Sequence, residues 1–227
     1  MAGIGIKLNR IYSKNTMTTN IIGIGYSTIM TIAPMLVVIL AIVIMMQIVG
    51  FTSLNYVERE LFACTVLYIF IFSLLTASPF NAVLSKYLSD VIYEEKYADI
   101  LPCFYMGLLM NSLVSSFVGI PFCLWEYLVG NVDLFYVATG YVGYMALVFV
   151  FYSMLYLSIC KDYQKISIFY GLGMLISIAL SFVFVRLFGM EIMLGMLLSL
   201  VIGFLVIASL EIALIRRYFR DNNQSYK

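Results

Sequence analysis

The residues of this sequence that could make specific polar contacts lie inside otherwise apolar segments. Two amides, Asn81 and Asn111, fall in such segments, and several serines accompany Asn111. An amide at this depth can hydrogen-bond the hydroxyl groups of a sugar, but it can equally bond a neighbouring helix. We predict Asn81 and Asn111 as candidate substrate-pathway residues, with helix–helix bonding as the alternative role.

Four tyrosines form a second candidate set, because they fall within about a third of a helix circumference at 100° per residue. They are Tyr141, Tyr144, Tyr152 and Tyr156. A tyrosine offers a flat apolar face and a polar tip, which suits stacking against sugar rings. The alternative is an aromatic belt or ordinary helix packing, since tyrosine gathers at membrane interfaces.

Nothing in the sequence assembles a catalytic or metal site. Histidine, the commonest general base and metal ligand, is absent from the chain. The sequence contains no phosphate-binding P-loop. The cysteines lack the spacing of metal ligands and are expected to be small apolar side chains in helices: Cys64, Cys103, Cys123 and Cys160. We predict that the protein is not an enzyme and that it binds no metal or cofactor.

Charged residues are also expected to stay out of the membrane interior. Arg186, Glu191 and Glu211 lie near the ends of apolar segments, where long side chains can reach the lipid headgroups. Charges at depth usually mark ion or proton paths. The sequence therefore predicts no ion-coupling site.

The composition determines the class of protein that must position these residues. The 227 residues are 63% hydrophobic and 11% charged, whereas soluble domains are about half apolar and a quarter charged. Such a surplus of apolar side chains must face lipid, and several runs exceed the roughly 20 residues that cross a bilayer. We predict an all-α, polytopic membrane bundle. The net charge of +1 gives no reason to expect nucleic-acid binding.

Six transmembrane helices follow from the apolar runs, in a single membrane domain covering residues 1–227. The predicted spans are about 21–49, 61–81, 103–125, 134–157, 166–187 and 192–215. Residues 1–16 carry apolar and basic residues at helical spacing, which is typical of a short interfacial helix on the cytoplasmic side. Residues 216–227 form a cytoplasmic tail.

The distribution of basic residues predicts that both termini are cytoplasmic. With the N-terminus inside, the outside segments hold only Arg59 and Arg186 of the thirteen basic residues. The inside segments hold the rest: Lys7, Arg10, Lys14, Lys86, Lys96, Lys161, Lys165, Arg216, Arg217, Arg220 and Lys227. The predicted location is the bacterial cytoplasmic (inner) membrane.

Two prolines and two strips of small residues are expected to shape the bundle. Pro34 and Pro79 interrupt apolar helices, and each is a candidate hinge or a passive kink. The strips have the i, i+4, i+8 spacing that allows close approach of helices: Gly173, Ser177 and Ser181 in the fifth span, and Gly195, Ser199 and Gly203 in the sixth. We predict that the fifth and sixth spans pack together along these strips.

Three segments of the sequence carry a family resemblance, and they occur in the order MAGIGIKLNRIYSKNT, IIGIGYSTIMTIAPML and SPFNAVLSKYLSDVIYEEKYADILPCFYMGLL. Together they resemble the PelG family of exopolysaccharide transporters. The resemblance implies export of a Pel-like polysaccharide across the cytoplasmic membrane, by alternating access or channel-like passage. It also implies partners: a cytosolic glycosyltransferase and other Pel membrane proteins, in addition to membrane lipid and the polysaccharide.

The resemblance also implies a fold in which two six-helix lobes face one another, as in MATE-like exporters. This sequence matches the first lobe. A second six-helix half or a homodimer partner would then be needed to enclose a cavity. Two other hypotheses stay open at this point: a non-transporting scaffold for a polysaccharide synthase complex, and a drug or lipid exporter of the same superfamily.

Overall fold

The computed structural model describes residues 17–94, 99–159 and 162–222. The predicted interfacial segment 1–16 and the last residues of the tail, 223–227, lie outside the described residues. So do Lys96, Lys161 and Cys160.

Six long helices make up the described chain, and each is long and apolar enough to cross a membrane. They are α1 (Met17–Val49), α2 (Tyr56–Tyr93), α3 (Ile100–Leu128), α4 (Leu134–Ile159), α5 (Tyr163–Phe182) and α6 (Ile192–Asn222). A short 3₁₀ turn, Phe51–Ser53, precedes α2, and a π-helical turn, Val183–Leu187, ends α5. No strand occurs in the described residues. The predicted all-α bundle with six membrane-crossing helices is confirmed.

Tight turns join the helices at one end of the bundle. Gly50, Asn131 and Gly189 adopt left-handed backbone conformations, with φ of 80°, 50° and 64°. Glycine and asparagine tolerate this conformation better than other residues. These turns separate α1 from α2, α3 from α4, and α5 from α6. They therefore mark the end of the bundle for which we predict an outside location.

Helices α4 and α6 form the centre of the bundle. About half of the apolar window of α4 and 61% of that of α6 are buried, against 28% or less in the other four helices. Helix α6 packs on α4 and α5, α1 packs on α5, and α2 and α3 pack on α4. The remaining faces of α1, α2, α3 and α5 carry exposed aliphatic and aromatic side chains, as expected of surfaces in contact with lipid.

Helices α1 and α2 both continue through their prolines. Pro34 is buried and Pro79 is exposed, and each lies inside a helix that extends well beyond it on both sides. A proline removes one backbone hydrogen bond of its helix. The hinge role of Pro34 and Pro79 stays a prediction.

Close contact between α5 and α6 centres on Gly173, Ser177 and Gly203, which we call the α5–α6 seam. A Cβ atom built on Gly203 would lie 1.9 Å from Ser177 Oγ and 2.8 Å from the carbonyl oxygen of Gly173. The two backbones therefore approach as closely as small residues permit. Ser181 and Ser199 are buried and bond carbonyl oxygens of their own helices. Gly195 instead faces Val185 of the π-helical turn.

Candidate functional site

A cavity of about 400 Å³ lies between α2, α3 and α4. It is bounded by the first half of α2, the second half of α3 and the first half of α4, which meet near the end marked by the tight turns. Its lining is mostly apolar and includes six aromatic side chains: Tyr68, Phe72, Phe122, Tyr136, Tyr141 and Tyr144. Helix α6 contributes no lining residue to this cavity.

Three aromatic rings form the wall contributed by α2 and α3. Tyr68 and Phe72 lie one helical turn apart on α2, and both pack on Phe122 of α3. The ring centroids are 5.7 Å apart for Tyr68–Phe122 and 5.1 Å apart for Phe72–Phe122. Flat, rigid rings held in this way give a preformed apolar surface.

The opposite wall comes from one face of α4. Tyr136, Gly140 and Tyr144 follow one another at helical spacing and all line the cavity. The Tyr136 hydroxyl lies 3.3 Å from Thr65 Oγ1, which fixes this ring against α2. Gly140 leaves a gap between the two tyrosines: the nearest atom to a Cβ built there is Thr65 Cγ2, at 3.7 Å.

Two carboxylates lie at one end of the cavity. Glu60 belongs to the start of α2 and is exposed, whereas Glu126 belongs to the last turn of α3 and is half-buried. Both are near helix ends and can stay hydrated. The cavity thus has aromatic walls and an acidic, water-accessible end.

The structure divides the predicted tyrosines into two pairs. Tyr141 and Tyr144 line the cavity, and each also bonds α3: the Tyr141 hydroxyl to Ser116 Oγ at 3.0 Å, and the Tyr144 hydroxyl to the carbonyl oxygen of Ser115 at 3.0 Å. Their rings can therefore face a ligand while their hydroxyl groups hold α3 on α4.

Tyr152 and Tyr156 do not line the cavity and are almost completely buried between α3 and α4. The Tyr152 hydroxyl donates to the carbonyl oxygen of Phe104 at 3.0 Å and lies 3.2 Å from the Tyr156 hydroxyl. Gly107 makes room for this phenol, since a Cβ built there would lie 2.2 Å from the Tyr152 oxygen. In this structure the second pair packs helices together.

The two predicted amides also lie away from the cavity. Asn81 donates from Nδ2 to the carbonyl oxygen of Phe151 at 3.3 Å, and Asn111 accepts from Ser115 Oγ at 3.5 Å. One amide atom of each, Asn81 Oδ1 and Asn111 Nδ2, is buried and lacks a hydrogen-bond partner among the described residues. The observed bonds are of the kind that join or stabilise helices.

Comparison with protein families matches residues 1–227 to PelG, described as "Putative exopolysaccharide Exporter (EPS-E)". The chain belongs to the PelG family. Comparison with curated protein sequences gave no match, and comparison with solved structures gave none. The predicted family is thus confirmed.

Membership of the PelG family indicates the general functional class of the protein. The chain is a multi-pass membrane protein of an exporter family, a class of transporters rather than enzymes.

One expectation about charge is wrong. Glu211 does not extend to the lipid headgroups but is completely buried, and its Oε2 atom lies 2.7 Å from Ser153 Oγ of α4. The error has a simple cause: the position of Glu211 along α6 does not show which face of the helix it occupies, and the structure places it on the face packed against α4.

Several cavity residues of this PelG-family chain were missed by sequence reasoning. Tyr68 and Phe72 on α2, and Phe122 and Glu126 on α3, each pair at i, i+4 spacing, which places both members on one helix face. In segments this rich in aromatic residues, the spacing does not distinguish a cavity wall from a lipid-facing surface. Gly140 between Tyr136 and Tyr144 was the more specific signal, because a small residue between large ones leaves a gap.

Proposed function

We propose that this PelG-family chain exports an exopolysaccharide of the Pel type across the bacterial cytoplasmic membrane. The observation that carries the proposal is the family match over residues 1–227, joined to a six-helix bundle long enough to cross a bilayer. Passage proceeds by alternating access or through a channel-like path, with the bundle acting as one lobe of a MATE-like exporter.

The cavity between α2, α3 and α4 is proposed as a contact site for the sugar rings of the polymer. Its aromatic walls offer flat apolar faces of the kind that stack on pyranose rings. Glu60 and Glu126 at its end can accept hydrogen bonds from sugar hydroxyls. Within the predicted set of tyrosines, Tyr141 and Tyr144 are the pair that we assign to this contact.

The proposed orientation places both termini in the cytoplasm, as the positive-inside pattern favours. In that orientation the acidic end of the cavity opens to the outside, and the end of α6 that carries Arg216 and Arg217 faces the cytoplasm. The proposed partners are a cytosolic glycosyltransferase, other Pel membrane proteins, and a second six-helix half or a second copy of this chain. That second unit would complete the path for the polymer.

The first experiment deletes the gene in a strain that makes the polymer and restores it on a plasmid. We expect surface polymer to be lost on deletion and restored by complementation, with polymer or its precursors retained inside the deleted strain. Unchanged surface polymer after deletion would contradict the export function.

A second experiment tests the cavity itself by filling it. Gly140→Leu places a side chain into the gap between Tyr136 and Tyr144, where a built Cβ meets no atom closer than 3.7 Å. We expect export to fall about tenfold, because the site loses its space for a ring, while the protein stays folded.

Gly171→Leu is the matched control, since a Cβ built on Gly171 meets no atom within 4 Å and Gly171 does not line the cavity. Export should be unchanged in this control. Equal export in the two variants would show that the cavity does not contact the polymer. Loss of export with the synthase complex still assembled would argue against a purely scaffolding role.

A further inference from the structure

Glu211 is the fully buried acid of the bundle. Of the charged side chains that the structure describes, it is the one with an exposed fraction of 0%. It projects from α6 against α4, the two helices at the bundle centre. Charged side chains at this depth in membrane proteins are costly, and they commonly serve ion or proton movement.

The carboxyl group has a single hydrogen-bond partner among the described residues. Glu211 Oε2 lies 2.7 Å from Ser153 Oγ. The other oxygen, Oε1, is buried and has no partner in the described part of the chain. An ionised carboxylate needs donors or a cation around both oxygens, so this environment suits the neutral acid far better.

The number of hydrogens that Ser153 can donate also favours a neutral Glu211. Ser153 Oγ lies 2.7 Å from the carbonyl oxygen of Phe149 and also 2.7 Å from Glu211 Oε2. A serine hydroxyl has one hydrogen, so it cannot donate to both acceptors. If Glu211 is protonated, its O–H donates to Ser153 Oγ and the serine donates to Phe149, so both short contacts are hydrogen bonds.

Loss of the proton breaks this arrangement. The Ser153 hydroxyl must then turn toward Glu211, and the contact with the Phe149 carbonyl loses its hydrogen. The carboxylate then accepts one hydrogen bond, and its buried negative charge has no other group to stabilise it among the contacts described. Deprotonation therefore reverses the donor in the bond between Ser153 of α4 and Glu211 of α6, and it removes the bond from Ser153 to Phe149 within α4.

The groups around Glu211 do not form a site for a metal cation. Hard cations take six or more oxygen ligands, whereas the contacts described here supply the carboxylate and one serine hydroxyl. From α5, the buried Tyr170 is the titratable group within electrostatic reach of Glu211. Helix α2 contacts α6 through the apolar pair Phe70 and Phe204, and this contact brings no titratable group.

The remaining titratable groups near this part of the bundle bond elsewhere. On α4, Tyr152 and Tyr156 flank Ser153 in sequence, but their hydroxyl groups lie against each other and, for Tyr152, against the carbonyl oxygen of Phe104 on α3. Toward the cytoplasmic end of α6, Tyr218 contacts Asp162 and Lys165. Lys165 Nζ and Asp162 Oδ2 form an ion pair at 2.9 Å. The surroundings of the Glu211 carboxyl group therefore suit a bound proton.

We propose that Glu211 is a proton-binding site and that proton binding and release there is coupled to polymer export, a coupling that rests on the proposed export function. In the structure described, the acid carries its proton and α4 packs on α6. Release of the proton requires water to reach the carboxylate, and so requires these helices to separate. A proton gradient across the membrane thereby biases the bundle between a packed and an opened arrangement.

The proton site is tested first without any transport assay. Infrared difference spectroscopy on the purified full chain in lipid nanodiscs, recorded across a pH series, separates the carbonyl stretch of a protonated carboxyl from the stretches of a carboxylate. We expect a buried carboxyl band that is present near neutral pH, disappears as the pH rises, and is missing from Glu211→Gln.

Glu191→Gln is the matched control, because Glu191 is exposed beside the start of the same helix. The titrating band should persist in this variant. Ser153→Ala provides a second test that keeps the acid: it should move the midpoint of the titration, because the carboxyl loses its hydrogen-bond partner. A wild-type spectrum without a titrating buried carboxyl, or one unchanged by Glu211→Gln, would overturn the proton site.

The coupling is tested by export in the complemented deletion strain. Glu211→Gln mimics the protonated acid and cannot release a proton, so surface polymer should fall about tenfold or more at normal protein level. Glu191→Gln should export normally. Normal export by Glu211→Gln would overturn the coupling, and failure of the wild-type gene to restore polymer would instead overturn the export function while leaving the infrared result to stand.

Discussion

The α5–α6 seam and the cavity between α2, α3 and α4 use the same kind of residues to opposite effect. Both regions contain glycines and hydroxyl side chains within long apolar helices. At the seam, Gly203 lies against Ser177 and Gly173 so closely that no further atom fits. At the cavity, Gly140 lies opposite Thr65 with room to spare.

The difference lies in what surrounds each glycine. The seam pairs small residues with small residues, so two backbones meet directly. Around the cavity, Gly140 shares the lining with large flat rings such as Tyr68, Phe122 and Tyr144, and rigid rings cannot collapse to fill the missing side chain. A glycine therefore closes one interface of this bundle and opens another, depending on the size of its neighbours.

The largest effect on stability is expected at the seam. Gly203→Leu forces a side chain into the position of Ser177 Oγ and against the carbonyl oxygen of Gly173. We expect a loss of about 3 kcal/mol, because backbone cannot move aside as a flexible side chain can. The measurement is thermal unfolding in detergent, with monodispersity followed by size-exclusion chromatography.

Gly171→Leu again serves as the control, because it adds the same side chain to α5 where no neighbour lies within 4 Å. A Gly203→Leu protein as stable as this control would mean that the seam is not closely packed, and the comparison with the cavity would fail.

A smaller effect is expected where tyrosines join α3 to α4. Tyr152→Phe removes the hydroxyl that donates to the Phe104 carbonyl oxygen inside the bundle, and should cost about 1 kcal/mol. Tyr141→Phe should cost less, because its partner Ser116 is also bonded to the carbonyl oxygen of Ser112 and the Tyr141 ring is only half-buried. Urea or thermal unfolding of the two variants side by side measures the difference; equal losses would mean that the cavity end of α4 is as well packed as the other end.

The smallest effect on the structure is expected from a cysteine placed in the turn beside the cavity, where thiol labelling tests which side of the membrane the turn faces. Asn131→Cys, placed in the exposed turn between α3 and α4, should react with a membrane-impermeant thiol reagent added outside intact cells. Tyr93→Cys, at the opposite end of α2 and 90% exposed, should react only after the membrane is opened. Both proteins need a background in which the native cysteines are replaced. The reverse pattern would place the acidic end of the cavity in the cytoplasm.

The sequence predicts the helices of this protein well, because lipid imposes a simple requirement on length and composition. Six apolar runs separated by polar turns could be placed without any knowledge of contacts. The family could also be recognised, since several segments occur in the right order. Both inferences depend on the length, composition and order of single segments, and neither needs knowledge of the contacts between helices.

The site was less predictable, because it depends on which helix faces meet. Tyr141, Tyr144, Tyr152 and Tyr156 share one face of α4, yet only the first two line the cavity, whereas the other two are buried against Phe104 of α3. Glu211 could not be placed from its own helix, since its burial depends on packing against Ser153 of α4. Pairings between helices are not encoded in the spacing within one helix.

The contact between Gly107 and Tyr152 has a mechanical consequence for the cavity. The phenol of Tyr152 occupies the notch left by Gly107, so α3 cannot slide along α4 while the two remain engaged. This contact lies toward the end of α3 opposite the cavity. Together with the bonds from Tyr141 and Tyr144 to α3, this contact fixes the axial register of the two helices, so the residues that α3 and α4 contribute to the cavity keep their relative heights.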